Sequence, residues 1–472
     1  MIAIFPLVYI FAFILALSDI IQGKKDGFIL FLIFGLSIYT TVLSVTFLLG
    51  FKSLIPFLQS LKEVFVIIVL GLSIWNLKRK IRFHYIDYLI LTFFGYTLLY
   101  VFLPVGEQGI GEKIMAFKTL SFFVLVYFCG RLFKPGEIYI SKYFHYILLL
   151  SIAAAAVLLT EVAADRHLQT ITGYADYNFY FFNFEPSGNY GLTWTFESEG
   201  GYKRFASFFA NPLEFASATV IALAVLAALY TTENNKLKLD NYGYLSLAAT
   251  LTCIIFAFSR SAFISYFILF YVYSIFTGRK YIYHSIHLIG AIITIYIIYL
   301  LTKEQDQNDG LQMVIINTIN FSNPSSVGHV VEWVQGALAI ASNPLGLGLG
   351  SSGRIGGTLG ENIGGENQYI IIGVQAGIIA LLLYLSIYFC IIKESIKWFY
   401  RLDGKEKKIC LAILLIKIGF IIPSLTSEIE SSAYTSYLMW FLSGLFVSII
   451  STKVPVIDSE ESQAYIQAPE KA

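Results

Sequence analysis

The chain has 472 residues, of which 57% are hydrophobic, 17% aromatic and only 13% charged. Soluble domains carry about 25% charged residues, so this chain has too little polar surface to cover a globule in water. The composition excludes a soluble enzyme, a nucleic-acid-binding protein and a disordered scaffold, and the net charge of +1 does not alter that. Because the apolar stretches are continuous and do not alternate, the sequence predicts an all-α polytopic membrane protein.

A helix that crosses the hydrocarbon core of a bilayer needs about 20 apolar residues. By this criterion the sequence contains thirteen predicted spans, or twelve if the first or the third lies in the interface. The first span lacks a basic leading segment and a small-residue cleavage site, so we expect a retained helix, not a signal peptide. The predicted spans are 2–21, 27–50, 54–76, 86–105, 114–133, 144–162, 212–230, 243–258, 261–277, 285–302, 367–392, 409–425 and 434–451.

The loops between these spans differ in charge. One set holds 21 of the 32 Lys and Arg residues, and the positive-inside rule places it in the cytoplasm. The long segments 163–211 and 303–366 then face outward. They separate an N-terminal (1–162), a central (212–302) and a C-terminal (367–451) group of helices. We expect the polar residues 452–472 to form a disordered cytoplasmic tail.

The four cysteines lie in or beside apolar runs, and there is no CxxC motif or Cys/His cluster. A disulfide framework, a metal site and a bound cofactor are therefore not expected.

The first long loop ends in a basic segment directly before a helix. Lys203 and Arg204 precede Asn211-Pro212, which is typical of an N-cap followed by the first helical turn. Arg204 has two interpretations at such a position. It reaches a lipid phosphate at the membrane surface, or it binds a pyrophosphate through its guanidinium fork.

Other charged residues lie in or beside apolar runs. Arg260 follows Phe258-Ser259 between two runs with almost no loop, and an arginine there is costly unless it faces protein or a watery cavity. We therefore favour a functional role for Arg260. Lys118 either reaches a lipid-linked phosphate or extends to the interface, and Lys417 is a further intramembrane lysine. Glu428 and Glu430 belong to an outer turn, where we expect them to be solvated.

The second long loop combines a short predicted helix, His329–Ile340, with a glycine-rich stretch, Asn343–Arg354. Glycines permit a mobile backbone that can present amides to an anion, although the Lys-Ser/Thr of a P-loop is missing. The loop ends in Glu366-Asn367 at the outer end of a helix. Glu366 is either an acid that stabilises a helix N-terminus or a general base.

Three stretches together resemble the O-antigen polymerase and O-antigen ligase family of bacterial surface-polysaccharide enzymes. The likeness covers roughly residues 200–390 as motifs, and the number of spans and the loop placement extend it over most of the chain. The stretches are Arg204-Phe-Ala-Ser-Phe-Phe-Ala-Asn211-Pro212, then Phe258-Ser259-Arg260, and then Glu332-Trp333, Asn343-Pro344-Leu-Gly-Leu-Gly, Glu366-Asn367-Gln368-Tyr369, Gly373 and Gly377-Ile378-Ile379.

The resemblance implies an inverting membrane glycosyltransferase of the GT-C type that uses neither a metal nor a nucleotide sugar. Such enzymes transfer a glycan from undecaprenyl pyrophosphate at the outer face of the bacterial cytoplasmic membrane. The family's outward-facing arginines, which bind the donor pyrophosphate, correspond to Arg204 and Arg260. A ligase usually has His-Asn where this chain has Glu366-Asn367, and polymerases often carry an acid there. The resemblance therefore favours a polymerase with Glu366 as the base.

A second position, after Glu366-Asn367, departs from the family pattern. His329 stands where an arginine is common, four residues before the tryptophan. His329 or Arg354 is a candidate to replace that phosphate contact. Lys118, Lys203 and Asn367 complete the predicted substrate-binding residues.

Two alternatives stay open at this stage. A ligase would move a finished glycan to another acceptor, and a flippase would carry lipid-linked glycans across the bilayer. For a polymerase, the lipid-linked glycan is both donor and acceptor, and the lipid bilayer surrounds the protein. The sequence leaves open whether a chain-length regulator also binds.

Overall fold

The structure is a computed structural model. It describes residues 2–77, 81–134, 136, 138–198, 201–302, 312, 316–317, 320, 324–360 and 362–453. The predicted cytoplasmic tail lies outside the described residues except for Thr452 and Lys453, and so does most of the first third of the predicted loop 303–366.

The fold is all-α and polytopic, as the composition predicts. Within the described residues, eleven helices are long and apolar enough to cross a membrane, and a bent helix pair makes a twelfth. The shorter apolar helix Asn241–Ala257 occupies the remaining predicted span. The apolar helices are α1 (Ile4–Ile21), α2 (Gly27–Leu48), α3 (Lys52–Trp75), α4 (Tyr85–Phe102), α5 (Ile110–Ser121), α6 (Phe123–Leu132), α7 (Ile140–Ala163), α9 (Pro212–Tyr230), α10 (Asn241–Ala257), α11 (Arg260–Thr277), α12 (Lys280–Thr302), α15 (Gln368–Phe399), α16 (Gly404–Thr426) and α17 (Ala433–Lys453).

In the described parts of the long connecting segments there are three α-helices. They are α8 (Tyr174–Phe182), α13 (Pro324–Ser342) and α14 (Gly353–Leu359). Helix α13 begins five residues before the predicted His329 and ends two residues after the predicted Ile340.

Several predicted spans are irregular within the described residues; α2, for example, contains a π-helical stretch at Phe31–Gly35, and two other spans are broken. The fifth is split into α5 and α6, which meet at an angle of 43°. Helix α15 continues through Gly377, whose φ of 79° and ψ of 178° are not helical. Both breaks occur inside apolar sequence, where hydropathy predicts an uninterrupted helix.

The basic loops gather at one end of the bundle, which we call the basic end. There the Lys405 ammonium donates to the Gly136 carbonyl at 2.9 Å, and the Gly404 amide donates to Glu233 at 2.9 Å. The long segments between α7 and α9 and between α12 and α15 lie at the opposite end, the loop end. There Thr426 donates to Ser261 at 2.9 Å, so the turn after α16 meets the start of α11. The predicted alternation of the loops is thus preserved in the fold.

Helix α17 forms the centre of the bundle and is surrounded by protein. It packs against α6 through a glycine on each helix. A Cβ atom on Gly444 would overlap the Tyr127 carbonyl, and one on Gly130 would overlap the Phe441 carbonyl. The two backbones therefore approach more closely than side chains allow, which is how small residues associate helices in membranes.

A buried polar cluster joins the C-terminal helices near the loop end. Glu430 accepts hydrogen bonds from the Tyr384 hydroxyl at 2.6 Å and the Trp440 indole at 2.8 Å. The Lys417 ammonium lies 3.4 Å from the centre of the Trp440 ring. The prediction that Glu430 is solvated is wrong, because only 7% of this residue is exposed. The donors and the lysine lie 10 to 46 residues from Glu430, on α15, α16 and α17, so the turn itself does not indicate its burial.

The contact between α6 and α17 predicts a stability effect. Gly444→Ala should lower the free energy of unfolding by about 1–3 kcal/mol, because the new methyl group forces the two backbones apart. Thermal unfolding in detergent measures this change. Gly71→Ala is the matched control, since Gly71 lies within α3 with no atom within 4 Å of an added Cβ. Equal melting temperatures for the two variants would contradict this description of the contact.

Candidate functional site

Arg204 is held in place by the folded segment between α7 and α9. A small core of Tyr174, Leu192, Phe196 and Ala206 stabilises that segment. The Arg204 amide donates to the Phe196 carbonyl at 2.9 Å, and its guanidinium donates to the Ala257 carbonyl at 3.4 Å. Arg204 is therefore fixed at the end of α10, beside the turn that leads into α11.

Arg260 begins α11 immediately after that turn. Phe258 turns the chain with a positive φ of 49°, so α11 starts two residues later with Arg260 as its first residue. The Arg260 guanidinium donates to the Ser326 hydroxyl at 3.0 Å, near the start of α13. Burial, and then the charge of Arg260, lower the pKa of Arg204 to about 10, so the Arg204 guanidinium stays protonated at neutral pH.

Glu366 faces these arginines from the segment before α15. Glu366 keeps an exposed face, but the protein around it removes part of its water. This desolvation raises the pKa of Glu366, the nearby Glu332 raises it further, and Arg204 opposes the shift. Gly365 makes the approach of Glu332 feasible, because a Cβ atom at this position would overlap the Glu332 carboxylate. The backbone at Gly365 also has a φ of +65°, a conformation that glycine adopts without strain.

His329, on α13, is the neighbour of Glu332 in this site. Its Nδ1 atom lies 3.7 Å from the Glu332 carboxylate. Burial lowers the pKa of His329, and the charges of Arg260 and Arg204 lower it further, against the opposing effect of Glu332. A neutral imidazole here is a hydrogen-bonding group with no permanent positive charge.

These residues form one site, which we call the arginine cleft: Arg204, Arg260, His329, Glu332 and Glu366. The structure thus brings together the three predicted catalytic residues and one predicted substrate-binding residue. Glu332 is the member that sequence reasoning missed as a site residue. Its only signal was its position in the family-like stretch before Trp333.

Arg354 lies in a second group of charges. Its amide donates to the Glu428 carboxylate at 2.8 Å, and its guanidinium lies 4.9 Å from the centre of the Phe182 ring. Its charge also acts on Glu214, in the first turn of α9. We call Phe182, Glu214, Arg354 and Glu428 the Arg354 subsite. Glu214 was not predicted and Glu428 was expected to be solvated, although it is only partly exposed.

The other predicted substrate-binding residues already have partners within the protein. Lys203 pairs with Asp165 at 2.6 Å, and Lys118 pairs with Glu63 at 3.2 Å. The Asn367 side chain caps α15 by accepting from the amides of Tyr369 and Ile370 at 3.0 and 3.2 Å. Their roles toward a substrate stay predictions.

The glycine-rich stretch is used for packing. The amides of Leu347 and Gly348 donate to the carbonyls of Val374 and Gln375 at 2.7 and 3.2 Å. A Cβ atom on Gly377 would lie 2.5 Å from the Pro344 carbonyl, so the glycine-rich stretch packs against α15 at its break. The prediction that the stretch presents its amides to an anion is therefore wrong for Leu347 and Gly348, because these two amides donate to carbonyls of α15.

Comparison with known proteins does not extend the family resemblance. No protein-family model matches the chain, and no curated protein matches its sequence. The resemblance rests on the three stretches themselves, and the structure adds that Arg204, Arg260 and Glu366, one from each stretch, lie in one cleft.

The segment that carries Arg204 predicts a pH-dependent opening. His167 is 2% exposed and its ring lies 5.0–5.5 Å from the rings of Tyr190, Phe196 and Phe205. Burial, and then the charge of Lys203, lower the pKa of His167 to about 4. The neutral form is therefore favoured when the segment is folded. Its stabilisation is complete above the unfolded value of about 6.5 and is lost as the pH falls toward 4.

Hydrogen exchange of amides 187–198 and 201–203 tests this expectation. After correction for intrinsic rates, the free energy of opening should fall by about 2 kcal/mol between pH 7 and pH 5. His167→Phe, which keeps an aromatic ring but does not titrate, should remove most of this dependence. The same pH dependence in both proteins would contradict the assignment.

Proposed function

We propose that the protein is a polymerase that joins undecaprenyl-pyrophosphate-linked oligosaccharide repeat units into a surface polysaccharide. The observation that carries this proposal is a chain of contacts that brings Arg204, Arg260 and Glu366 together. Arg204 donates to Ala257 three residues before Arg260, and Arg260 donates to Ser326 of α13. Glu332 of the same helix lies against Gly365, next to Glu366. Arg204, Arg260 and Glu366 come from three separate elements, and each belongs to one of the family-like stretches. Two guanidiniums beside a carboxylate with a raised pKa are suited to breaking a bond to pyrophosphate.

The arginines bind the leaving group in this proposal. Guanidinium groups pair bidentately with phosphate oxygens, and a partly buried site strengthens the attraction. As the glycosidic carbon separates from the phosphate, negative charge grows on the pyrophosphate. Arg204 and Arg260 are already in position to stabilise that charge without a metal ion.

Glu366 acts as the general base on the acceptor. The acceptor hydroxyl oxygen attacks the anomeric carbon of the donor and forms the new C–O bond. The bond from that carbon to the phosphate oxygen breaks, and its electron pair leaves with undecaprenyl pyrophosphate. The hydroxyl proton passes to the Glu366 carboxylate and then to water. One displacement of this kind inverts the anomeric carbon.

The proposed location is the outer face of the cytoplasmic membrane of a bacterium. Its support is the distribution of charge, because the basic loops lie at the end opposite to the arginine cleft. By the positive-inside rule, the basic end is cytoplasmic and the cleft opens outward.

Removal of an arginine should reduce polymerisation. Purified protein given undecaprenyl-pyrophosphate-linked repeat units should yield a ladder of longer lipid-linked glycans on a gel. Arg260→Gln should reduce the rate of elongation about 10²- to 10³-fold, as loss of a transition-state charge contact does elsewhere.

Arg166→Gln is the matched control for this assay. Arg166 is an exposed arginine at the loop end whose guanidinium donates to Thr170 at 3.0 Å. A folded Arg260→Gln protein with full activity would contradict the proposed site. A wild-type protein that makes one transfer to a different acceptor, without a ladder, would show a ligase.

The raised pKa of Glu366 predicts the pH profile of kcat. The carboxylate must be ionised to accept a proton, so kcat should rise as the pH increases through the raised pKa and then level off. Glu366→Gln should lower kcat by about 10²- to 10⁴-fold. Since the Glu332 charge raises the pKa of Glu366, Glu332→Gln should move the rise in kcat to lower pH.

Glu185→Gln controls for a general effect of lost negative charge, because Glu185 is an exposed acid at the loop end, in the other long segment between α7 and α9. Its profile should coincide with that of the wild type. An unshifted profile in Glu332→Gln, or full activity in Glu366→Gln, would contradict the role of Glu366.

A further inference from the structure

A cluster of charged side chains joins α3 to α5, outside the arginine cleft. The ammonium groups of Lys62 and Lys118 lie 2.9 and 3.2 Å from the same carboxylate oxygen of Glu63. We call Lys62, Glu63 and Lys118 the lysine cluster. Lys62 and Glu63 belong to α3 and Lys118 belongs to α5, whereas the arginine cleft takes no residue from either helix. The two groups are therefore separate sites.

The contacts of Gln59 place the lysine cluster at the loop end of the bundle. The Gln59 carbonyl accepts from the Lys62 ammonium at 3.2 Å, and the Gln59 side chain donates to the Tyr177 hydroxyl at 3.1 Å. Tyr177 belongs to α8, which lies in the long segment between α7 and α9. The lysine cluster and the arginine cleft therefore lie at the same end.

The lysine cluster carries one more positive charge than negative charge. Lys62 uses its three N–H donors within the protein, on the Glu63 carboxylate, the Tyr39 hydroxyl at 2.8 Å and the Gln59 carbonyl. Lys62 is thereby satisfied, and its charge neutralises that of Glu63. In the described part of the chain Lys118 donates to Glu63 only, so its other two donors and its charge are available to an anion.

The other charged residues nearby do not cancel this surplus. Glu112 and Lys113, the remaining charged residues of α5, have opposite signs, and both bind backbone groups that precede the helix. Arg354, whose guanidinium lies 4.9 Å from the Phe182 ring, is a further cation, and its amide is the donor to Glu428. Among the described residues, the surplus ammonium thus has no carboxylate of its own.

Lys118 lies in an exposed apolar surface. Its side chain is 53% exposed, and Ile110 and Ile114, which precede it on the same face of α5, are exposed as well. Val64 and Ile67 continue this surface on α3. Exposed apolar surface on a membrane-spanning helix contacts lipid chains. A cation in such a surface suits a ligand that joins an anionic group to a hydrocarbon chain.

The proposed reaction brings two undecaprenyl pyrophosphate groups to the protein at once. The pyrophosphate of the donor is the leaving group and belongs in the arginine cleft. The acceptor keeps its own pyrophosphate, which the sugars of its repeat unit separate from the hydroxyl at Glu366. The second pyrophosphate therefore needs a cation apart from the arginines, at the same end of the bundle and next to the lipid. The lysine cluster meets these three requirements.

Given the proposed function, we propose that the lysine cluster binds the pyrophosphate of the acceptor, with Lys118 as the phosphate-binding cation. Lys62 and Glu63 hold the Lys118 ammonium in position, and the polyprenyl chain packs on the exposed apolar surface. The acceptor oxygen forms the C–O bond and its proton goes to Glu366. The donor loses undecaprenyl pyrophosphate to the arginine cleft, whereas every bond of the acceptor pyrophosphate stays intact.

Native mass spectrometry of the purified full-length protein with undecaprenyl pyrophosphate tests this site. The wild type should bind two molecules, and Lys118→Gln and Arg260→Gln should each bind one. Lys118→Gln leaves the pair of Lys62 and Glu63 intact, and the molecule that it keeps shows that it is folded. Lys52→Gln is the matched control, since Lys52 is an exposed lysine at the start of α3, and it should bind two molecules.

Glu63→Gln distinguishes a binding site from an ion pair that only holds two helices together. The Glu63 carboxylate competes with phosphate for Lys118, so Glu63→Gln should bind the second molecule more tightly than the wild type. If Glu63→Gln loses the second molecule as Lys118→Gln does, the cluster only joins α3 to α5 and the proposed site is overturned.

Competition identifies the kind of lipid. A large molar excess of phosphatidylglycerol, which carries a single phosphate, should leave both molecules of undecaprenyl pyrophosphate bound. Displacement of the molecule that depends on Lys118 would show a general site for anionic lipids and would overturn the role in acceptor binding.

Two-substrate kinetics separate this proposal from the proposed function. With lipid-linked polymer as saturating donor, Lys118→Gln should raise the KM for the lipid-linked single repeat unit about tenfold, the effect of losing one charge-assisted contact. Its kcat should match that of the wild type. A wild type that binds two molecules but does not elongate glycans overturns the proposed function, and the acceptor role with it. A wild type that elongates them but binds one molecule, or an unchanged KM in Lys118→Gln, overturns the lysine cluster alone.

Discussion

Charged groups among apolar helices need a nearby opposite charge or a hydrogen-bond donor, and this requirement organises the loop end. One buried instance is Glu430, whose carboxylate accepts hydrogen bonds from Tyr384 and Trp440, with Lys417 over the Trp440 ring. The Glu430 amide also donates to the Gln368 side chain at 3.0 Å. Because Gln368 is the first residue of α15, the buried cluster fixes the start of the helix two residues after Glu366.

The arginine cleft is built on this frame by close backbone contacts. Gly365 lets Glu332 approach Glu366, and Gly377 interrupts α15 so that the stretch after Pro344 packs into the break. Arg204 is held from the opposite side by the folded segment whose core contains Phe196. The charged residues of the arginine cleft thus come from separate parts of the chain. No one of these parts brings the two arginines and Glu366 together on its own. In the proposed reaction, preorganised charge of this kind would stabilise the developing pyrophosphate leaving group.

The membrane spans could be predicted from the sequence because a bilayer requires long apolar runs, and these are visible without knowledge of packing. Arg204, Arg260 and Glu366 stood out because charge is rare in this chain. The breaks between α5 and α6 and at Gly377 could not be predicted, since the apolar pattern continues through both.

Tertiary packing also explains the remaining differences between expectation and structure. Glu430 was expected to be solvated, but its donors come from residues 46 positions before and 10 positions after it. The grouping of Glu214, Arg354 and Glu428 likewise depends on elements far apart in sequence. Asn367 illustrates a local rule that works, because an asparagine before an apolar helix is a capping residue, and here it is one.

The most direct test of the central claim is a cryo-EM structure of the full-length protein with bound undecaprenyl pyrophosphate. The account predicts density for the pyrophosphate between the guanidiniums of Arg204 and Arg260, with Glu366 next to it and the polyprenyl chain in the bilayer. Pyrophosphate density at another site, such as Lys118 beside Glu63, with no density in the arginine cleft, would contradict this account.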